Sequence, residues 1–400
     1  MKGQLRKARR AIIFFFCSTG SVYGLLTARL PALREQLQAG EALVGMAMLC
    51  LGCGSLAGFA AMHALQRRWS TQAILRLGSA CLLLSLPLCG LAPTGTLFCA
   101  ACGLLGACFA LADVAMNTQG ILLEQRLRHN CLSGLHACYS FGGLGGSLLG
   151  AVFAALGATP LVTFVTMTGC LLGGWFLCSS FLLPDKADSP TAVKERPGRG
   201  VPLFIYLCGF LALSAYAVEG SCAEWSALLL HTVKGAPESV AALGFGAFSV
   251  TIALSRLLGD GLRRRWGDFS LLLRSTTAAV CGLAIVLLSP WPVLCLAGYA
   301  LTGAGMAPIM PVLLSRAGSR DDISPQRATT AIATLGYAGL LVIPPGIGWL
   351  AQWYGLPTAL LLPLLLGLLL MASSLLFRES SKGSVAASQD GVDAPVSGRS

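Results

Sequence analysis

The sequence predicts an all-α membrane protein in which twelve helices cross the bilayer. Three observations support this prediction. Hydrophobic residues make up 55% of the 400 residues, charged residues only 11%, and the mean hydropathy is +0.73. A soluble surface needs more charge, roughly a quarter to a third of its residues. Apolar stretches of about 20 residues recur along the whole chain, each long enough to cross a bilayer about 30 Å thick.

Twelve apolar stretches are the predicted spans. They are residues 11–28, 42–65, 73–91, 97–122, 132–156, 161–183, 201–221, 240–259, 269–289, 292–314, 328–350 and 357–377. The first follows a basic N-terminus, a pattern shared with signal peptides. Because eleven further spans follow it, we interpret it as an uncleaved first helix.

A polar segment divides the spans into two sets of six. Residues 184–200 are rich in proline and charge, which predicts a flexible cytoplasmic linker. Residues 1–183 and 201–377 are then two pseudo-symmetric six-helix bundles, and the polar tail 378–400 is predicted to be disordered. The halves share a weak repeat, since Glu41 and Trp69 match Glu238 and Trp266, each 197 residues further on. Two such halves are typical of secondary transporters, with the substrate site at their interface near the midplane.

The basic residues behind the net charge of +11 are distributed unevenly between the two sides of the predicted membrane. Of the 28 basic residues, only Arg29, Arg34 and Lys234 lie on the side of the odd-numbered loops. The positive-inside rule therefore places both termini in the cytoplasm. Nucleic-acid binding is disfavoured, because no basic domain stands apart from the spans.

Sixteen cysteines lie almost entirely within the apolar spans. The pairs Cys50/Cys53 and Cys99/Cys102 have the spacing of metal ligands but lack polar neighbours. We interpret the cysteines as small packing residues, and no metal site or cofactor is predicted.

Span 4 carries a polar stripe. Helical spacing places Asp113, Asn117, Gly120 and Glu124 on one face. An ionisable residue at a bilayer centre costs about 3 kcal/mol or more, so it is a functional candidate. We interpret the stripe as the wall of a transport pathway. The alternative for Asp113 is a structural hydrogen bond to a neighbouring helix.

Span 5 begins beside the same loop. His136 and Ser140 share one of its faces and are predicted to meet the Asp113 stripe in a proton-sensitive polar cluster. The alternative for His136 is a packing residue satisfied by a backbone carbonyl. On the same span, Gly142 and Gly146 recur four residues apart, which predicts close approach to another helix.

Span 7 supplies a second membrane acid, Glu219. Counting along the span places it toward the outer end, whereas Asp113 lies inward of the midplane. One acid in each half suits a carrier that loads a proton on one side and releases it on the other. The neighbouring Glu224 and Trp225 fit an interfacial position instead.

The inner end of span 8 carries opposite charges four residues apart. Arg256 and Asp260, with Arg265 beyond them, are predicted to form a cytoplasmic latch. The alternative is positive-inside charge alone. Further on, Pro308 is predicted to kink span 10, and Pro344 with Pro345 to break span 11.

Several of these segments together resemble the major facilitator superfamily, and more narrowly its bacterial inner-membrane members near the fucose permease. The segments are Arg29–Ala32, Asp113–Gly120, His136–Gly143, Glu219–Ser226 and Ser255–Asp260 with Arg265 and Gly267. The resemblance implies two bundles that rock to give alternating access. It also associates the Asp113 position, in a motif with Asn117 and Gln119, with substrate and proton handling. Span 5 lacks the Gly-Pro signature of proton-driven drug exporters.

We therefore expect a proton-coupled secondary transporter of a small polar solute, such as a sugar or related metabolite. The alternative is a proton-antiport exporter of amphipathic compounds. An enzyme is not predicted, because the sequence contains no His-Glu-x-x-His, nucleophile elbow or phosphate-binding glycine loop. The expected partners are the solute, protons and the lipids of the bacterial inner (plasma) membrane, and we expect a monomer.

Overall fold

The computed structural model describes residues 2–127, 131–184, 201–318, 323 and 325–377. These residues are helical with short connections and contain no β-strand. Twelve helices among them are long and apolar enough to cross a membrane, which confirms the predicted fold class. The predicted linker, from residue 185 onward, and the predicted tail 378–400 lie outside the described residues.

The first six spans are Gly3–Ala28, Glu41–Met62, Thr71–Leu91, Gly95–Leu127, Gly134–Ala155 and Pro160–Ser179. The last six are Leu203–Val233, Glu238–Gly259, Gly261–Leu288, Pro292–Ala317, Thr334–Tyr354 and Leu356–Ser373. Because successive spans alternate in direction, connections after odd-numbered spans lie at one end of the bundle, here the odd-loop face. The connections after even-numbered spans lie at the other end, here the even-loop face.

Several helices are longer than the sequence predicted, and those of spans 1 and 7 differ most. The first runs over Lys2–Ala28, because its basic segment consists mainly of good helix formers and Ala8 is buried. Span 7 does not end at residue 221. It is α-helical over Leu203–Leu228 and closes with a π-turn over Leu229–Val233. The interfacial interpretation of Glu224 and Trp225 is wrong, because both side chains are buried within this helix.

Glycine and proline interrupt the last six spans differently from the prediction. Spans 8 and 9 lie in one helical run, Leu243–Leu288, separated only at Gly267, whose φ of 70° favours glycine. Span 10 breaks between helices Pro292–Met306 and Ile309–Gly318, at Pro308 as predicted. Span 11 does not break, because helix Pro325–Tyr354 continues through both of its internal prolines.

The remaining helices follow the spans closely. A short helix over Leu30–Gln36 lies between spans 1 and 2. Spans 2 to 6 contain helices Glu41–Leu65, Thr71–Leu91, Gly95–Leu127, Leu132–Ala155 and Pro160–Ser179. A single turn over Glu238–Ala241 begins span 8, and span 12 consists of Leu356–Ala359, Leu361–Ser373 and Ser374–Phe377.

Spans 1 and 5 pack without side chains between their backbones. A Cβ at Gly142 would overlap the Cys17 carbonyl, and one at Gly146 would overlap the Ser21 carbonyl. The Ser21 hydroxyl donates to the Gly142 carbonyl over 3.0 Å. The predicted close approach is confirmed, and it fixes span 5 against span 1.

The first six and the last six spans meet along two helix pairs. Span 5 packs against span 8, and span 2 packs against span 11. The two pairs are equivalent by the repeat, because span 5 of the first half corresponds to span 11 of the second, and span 2 corresponds to span 8. The space between the halves is therefore bordered by spans 2, 5, 8 and 11, with spans 1, 4 and 7 contributing side chains to it.

Candidate functional site

The polar motif of span 4 lies between the two halves. The Asn117 amide donates to the Asp113 carbonyl over 2.9 Å and to its carboxylate over 3.2 Å, one helical turn away. The Asp113 carboxylate interacts electrostatically with Tyr139 of span 5, and with Tyr216 and Tyr337 of the last six spans. Asp113 therefore lies within electrostatic range of side chains from both halves.

Aromatic side chains line this space from three spans. Tyr216 of span 7 and Tyr337 of span 11 stack with ring centroids 5.7 Å apart and an interplanar angle of 21°. Phe59 of span 2 lies 6.1 Å from the Tyr337 ring. The side chain of Tyr337 is 45% exposed although it contacts both halves. Such exposure between packed helices indicates a cavity, which we call the central cavity.

Glu219 faces the same cavity. It lies 3.5 Å from Arg256 of span 8, and both side chains are about one-third exposed. Tyr139 and Tyr337 interact electrostatically with Glu219 as well as with Asp113. The two acids therefore lie near the same tyrosines, and the expected difference in their depths stays a prediction.

The predicted latch has a different arrangement. Arg256 is directed to Glu219, whereas the side chain of Asp260 lies outside the described residues. Arg265 is exposed at the even-loop face. Among the described side chains of this face, Asp268 forms ion pairs with Arg263 over 2.6 Å and with Arg316 over 2.5 Å. They join the turn between spans 8 and 9 to the end of span 10.

His136 and Ser140 do not join the Asp113 motif. The His136 ring packs edge-on against Phe16 of span 1, with centroids 5.5 Å apart. The Ser140 hydroxyl donates to the His136 carbonyl over 3.4 Å, within its own helix. The Ser140 carbonyl accepts a 2.8 Å hydrogen bond from Ser249, which ties span 5 to span 8. The hydrogen bonds and ring contacts described for both residues are thus packing contacts, while His136 also lies within electrostatic range of Arg256.

Gln119 and Glu124 hold helix ends together. The fully buried Gln119 amide donates to the Thr71 hydroxyl and the Leu183 carbonyl, and accepts from the Leu183 amide over 2.8 Å. The Glu124 carboxylate accepts from the Cys131 amide over 2.6 Å, at the start of span 5. Of the span 4 residues predicted for the pathway, Asp113 is the one with electrostatic partners on the opposite half, and Asn117 donates to its carboxylate.

The structure reveals a further buried acid, Glu224. Its side chain is 5% exposed, and its Oε1 accepts a hydrogen bond from the Tyr23 hydroxyl of span 1 over 3.3 Å. Its Oε2 has no hydrogen-bond partner among the described atoms. The Tyr23 ring packs edge-on against Phe245 of span 8, with centroids 5.5 Å apart. The position of Glu224 within a long apolar run was the sequence signal for this group.

The odd-loop face is closed by ion pairs between the halves. Arg29 binds Glu238 over 2.9 Å and also donates to the Ala158 carbonyl. Burial lowers the pKa of the Arg29 guanidinium, and the Glu238 carboxylate opposes that shift. Glu35 lies 2.8 Å from His231. Of the ion pairs between described side chains, these two cross between the halves, and both are at this face.

Backbone contact reinforces this closure. A Cβ added to Gly348 of span 11 would lie 2.7 Å from the Gly45 Cα of span 2. The halves therefore touch near the odd-loop face without intervening side chains. The conformation is closed at that face.

Comparison with known proteins identifies the family. The family model of the Major Facilitator Superfamily matches residues 12–333 of this chain. An uncharacterized transporter of Sinorhizobium fredii is 31% identical over 346 residues, covering 86% of this chain and 91% of that protein. An uncharacterized MFS-type transporter of Yersinia pestis is 30% identical over 332 residues, covering 82% and 85%. Membrane protein MosC of Rhizobium meliloti is 30% identical over 382 residues, covering 93% and 91%.

Solved structures share the fold at low sequence identity. A bacterial homologue of the human lysosomal transporter Spinster, inward-facing and unoccupied, has a TM-score of 0.72 at 12% identity, covering 94% of this chain and 97% of that chain. The nucleoside transporter NupG has a TM-score of 0.68 at 12% identity, covering 93% and 98%. At these identities the likeness concerns the fold alone.

Proposed function

The chain belongs to the Major Facilitator Superfamily, and we propose that it couples protons to the movement of a small polar solute by alternating access. The solute class we propose is a sugar or related metabolite. Such a solute presents hydroxyl groups to carboxylates and an apolar ring face to aromatic side chains.

The observation that carries this proposal is the position of Asp113 in the central cavity. Its carboxylate interacts with tyrosines of both halves, and the Glu219–Arg256 pair lies beside the same tyrosines. A carboxylate can bind hydroxyl groups or a proton, and an ion pair that is one-third exposed can exchange its partner for a polar solute. The stacked Tyr216 and Tyr337 rings would support the solute's apolar face.

Alternating access is supported by the uneven closure of the bundle. Among the described side chains, the Arg29–Glu238 ion pair and the Glu35–His231 contact join the halves at the odd-loop face, whereas Glu219 and Arg256 in the cavity remain partly exposed. We propose that the halves rock about the span 5–span 8 and span 2–span 11 contacts. With both termini cytoplasmic, we propose that this conformation, closed at the odd-loop face, is the one that gives access from the cytoplasm.

The same proposal extends to the subgroup within the superfamily, the membrane location and the domain organisation. The motif of Asp113, Asn117 and Gln119 supports a place near the fucose permease within the superfamily. The basic residues of the even-numbered loops support a bacterial inner-membrane location with the even-loop face inside. We propose residues 1–183 and 201–377 as two six-helix domains that work together in a monomer.

A second candidate is a proton-antiport exporter of amphipathic compounds. The aromatic wall of Phe59, Tyr216 and Tyr337 favours it, because these rings could bind an apolar group while Asp113 binds a polar one. The two candidates differ in the direction of proton flow relative to the solute.

The test is a metabolite-uptake screen with protein reconstituted in vesicles under an imposed pH gradient. Sugars, polyols and nucleosides are supplied together, and accumulated solutes are identified by mass spectrometry. We expect Asp113→Asn to abolish gradient-driven accumulation while sparing exchange, because the amide cannot bind the coupled proton. Glu124→Gln is the matched control, since it alters a span 4 carboxylate outside the cavity. Undiminished accumulation in the Asp113 variant would remove that residue from the mechanism.

A further inference from the structure

We infer that Glu224 is a proton-binding site whose proton is held while the odd-loop face is closed. The inference rests on the proposed alternating access but concerns a different residue from Asp113. It follows from three features of the structure: the partners of the carboxyl group, the space around it and the helices that it joins.

The first feature is an acid without a basic partner. Glu219, five residues earlier on the same helix, has Arg256 as its counter-ion. Among the described residues, the hydrogen-bond partner of Glu224 is the neutral Tyr23 hydroxyl, and the second carboxyl oxygen is buried with no hydrogen-bond partner. Burying an ionised carboxylate without a positive partner is costly. A proton on Oε2 removes the charge and with it most of that cost.

The second feature is the lack of room for a larger cation. The Glu224 side chain is 95% buried, and Tyr23 is packed against the buried Phe245 ring. Hard metal cations such as Ca²⁺ need six or more oxygen ligands. The described residues contain no group of three His, Cys, Asp or Glu side chains placed to hold a metal ion. One carboxyl and one phenol suit a proton.

The titratable groups around Glu224 come from three spans. Span 1 supplies Tyr23, and span 5 supplies Tyr139, which interacts electrostatically with Tyr23. Span 7 itself supplies Glu219, neutralised by Arg256 of span 8, and the thiol of Cys222. Span 8 presents the uncharged Phe245 to Tyr23. The positive charge of Arg256 is therefore engaged by Glu219, which precedes Glu224 by five residues on span 7.

The third feature is that the Tyr23–Glu224 hydrogen bond joins the two halves. Tyr23 belongs to the first six spans and Glu224 to the last six. The bond lies on the cavity side of the Arg29–Glu238 pair, which follows Tyr23 along span 1. Opening the odd-loop face would separate spans 1 and 7 and hydrate the carboxyl group. The acid would then release its proton, so proton binding stabilises the closed conformation.

Infrared difference spectroscopy on the full-length protein in lipid bilayers tests the site directly. Spectra are recorded over a series of buffers from acidic to alkaline, for the wild type, Glu224→Gln and the control Glu219→Gln. We expect the carbonyl band of a protonated carboxylic acid in the wild type and in E219Q, and its loss in E224Q. If, at every pH, the wild-type spectrum contains no carboxylic-acid band beyond those in the E224Q spectrum, the inference is overturned.

Hydrogen exchange read by mass spectrometry tests the coupling to conformation. In the wild type, exchange in residues 40–46 and 346–352, where the halves touch, is divided by the intrinsic amide exchange rate at each pH. This ratio should rise with pH as the acid loses its proton and the contact opens. Glu224→Gln mimics the protonated acid, so we expect this pH dependence to be lost. An unchanged pH response in E224Q, with E219Q as control, would contradict the coupling.

Neither readout requires a transported solute, so the two proposals can fail separately. If the carboxylic-acid band is present but no solute accumulates in vesicles, the transport proposal fails and the Glu224 site stands. If a solute accumulates under a pH gradient and the band is absent, the site fails and the transport proposal stands.

Discussion

Arg29 and Glu238 form an ion pair, 2.9 Å between Nη1 and Oε1, that joins the end of span 1 to the first residue of span 8. Arg29 is 1% exposed, which is rare for an arginine unless it is paired. The sequence repeat matches Glu238 with Glu41, and Glu41 pairs with Arg34 over 2.9 Å. Both repeat-related acids are thus bound to arginines near the span 1–span 2 connection, but only Glu238 crosses between the halves.

We predict that breaking this pair opens the odd-loop face. Removing one partner of a buried ion pair costs about 3 kcal/mol or more, because the remaining charge is left unpaired. Arg29→Gln should therefore increase hydrogen exchange in residues 40–46 and 346–352. Arg34→Gln is the control, since its pair with Glu41 lies within one half. Equal exchange in the two variants would show that the Arg29 pair does not hold the face closed.

A side chain at the glycine contact should prevent closure. A Cβ at Gly348 would approach the Gly45 backbone to 2.7 Å, and a backbone contact cannot move aside as a side chain does. We expect Gly348→Val to shift the protein to the open odd-loop face, with faster exchange in residues 40–46. Gly346→Val is the control, because a Cβ there meets nothing within 4 Å. Slow exchange retained in G348V would contradict this prediction.

Tyr23→Phe isolates the hydrogen bond to Glu224. The substitution keeps the ring that packs against Phe245 and Phe109 and removes only the hydroxyl. A buried hydrogen bond contributes about 1 kcal/mol, and more is lost when an acceptor is left unsatisfied. We expect a lower melting temperature and easier opening of the odd-loop face. Tyr206→Phe, at a half-exposed side chain, should leave both unchanged. A similar loss in the two variants would argue against a special role for the Tyr23 hydroxyl.

We predict that replacing Gln119 lowers the stability of the protein more than it changes transport. Gln119→Leu removes the partners of both the N–H and the carbonyl of Leu183, at about 1 to 3 kcal/mol for each buried group left unsatisfied. We expect a clearly lower melting temperature, with solute selectivity retained in the protein that remains folded. Thr118→Val, which loses one bond within the helix, is the control. Changed selectivity at wild-type stability would return Gln119 to the pathway.

Charge exchange identifies the partner of Arg256. Because Arg256 lies 3.5 Å from Glu219, the variant R256E/E219R should recover more transport than either single substitution. The latch predicted from helical spacing makes the competing prediction that R256E/D260R recovers transport. Uptake of the solute found in the vesicle screen measures both. Recovery only in the second variant would favour the latch with Asp260.

The sequence alone determined the fold class. Apolar runs of bilayer length leave helices as the structure that satisfies every backbone hydrogen bond within its own segment, so twelve such runs specify twelve helices. The glycine spacing of span 5 also predicted its close packing, because only glycine lets two backbones touch. Asp113 and Asn117 also stand out in the sequence as candidate pathway residues, because polar groups in an apolar helix need a polar neighbour. In the structure their side chains are hydrogen-bonded to each other.

Only the tertiary structure decided which charged groups meet. The spacing of Arg256 and Asp260 on one helix could not reveal that Glu219, 37 residues earlier in the chain, approaches the guanidinium. Likewise, the sequence gives no sign that Tyr23 reaches Glu224, 201 residues away. Local periodicity fixes the face of a helix on which a residue lies. Which residues lie opposite that face is decided by the packing of whole spans. This packing depends on contacts summed over many residues that are distant in the chain.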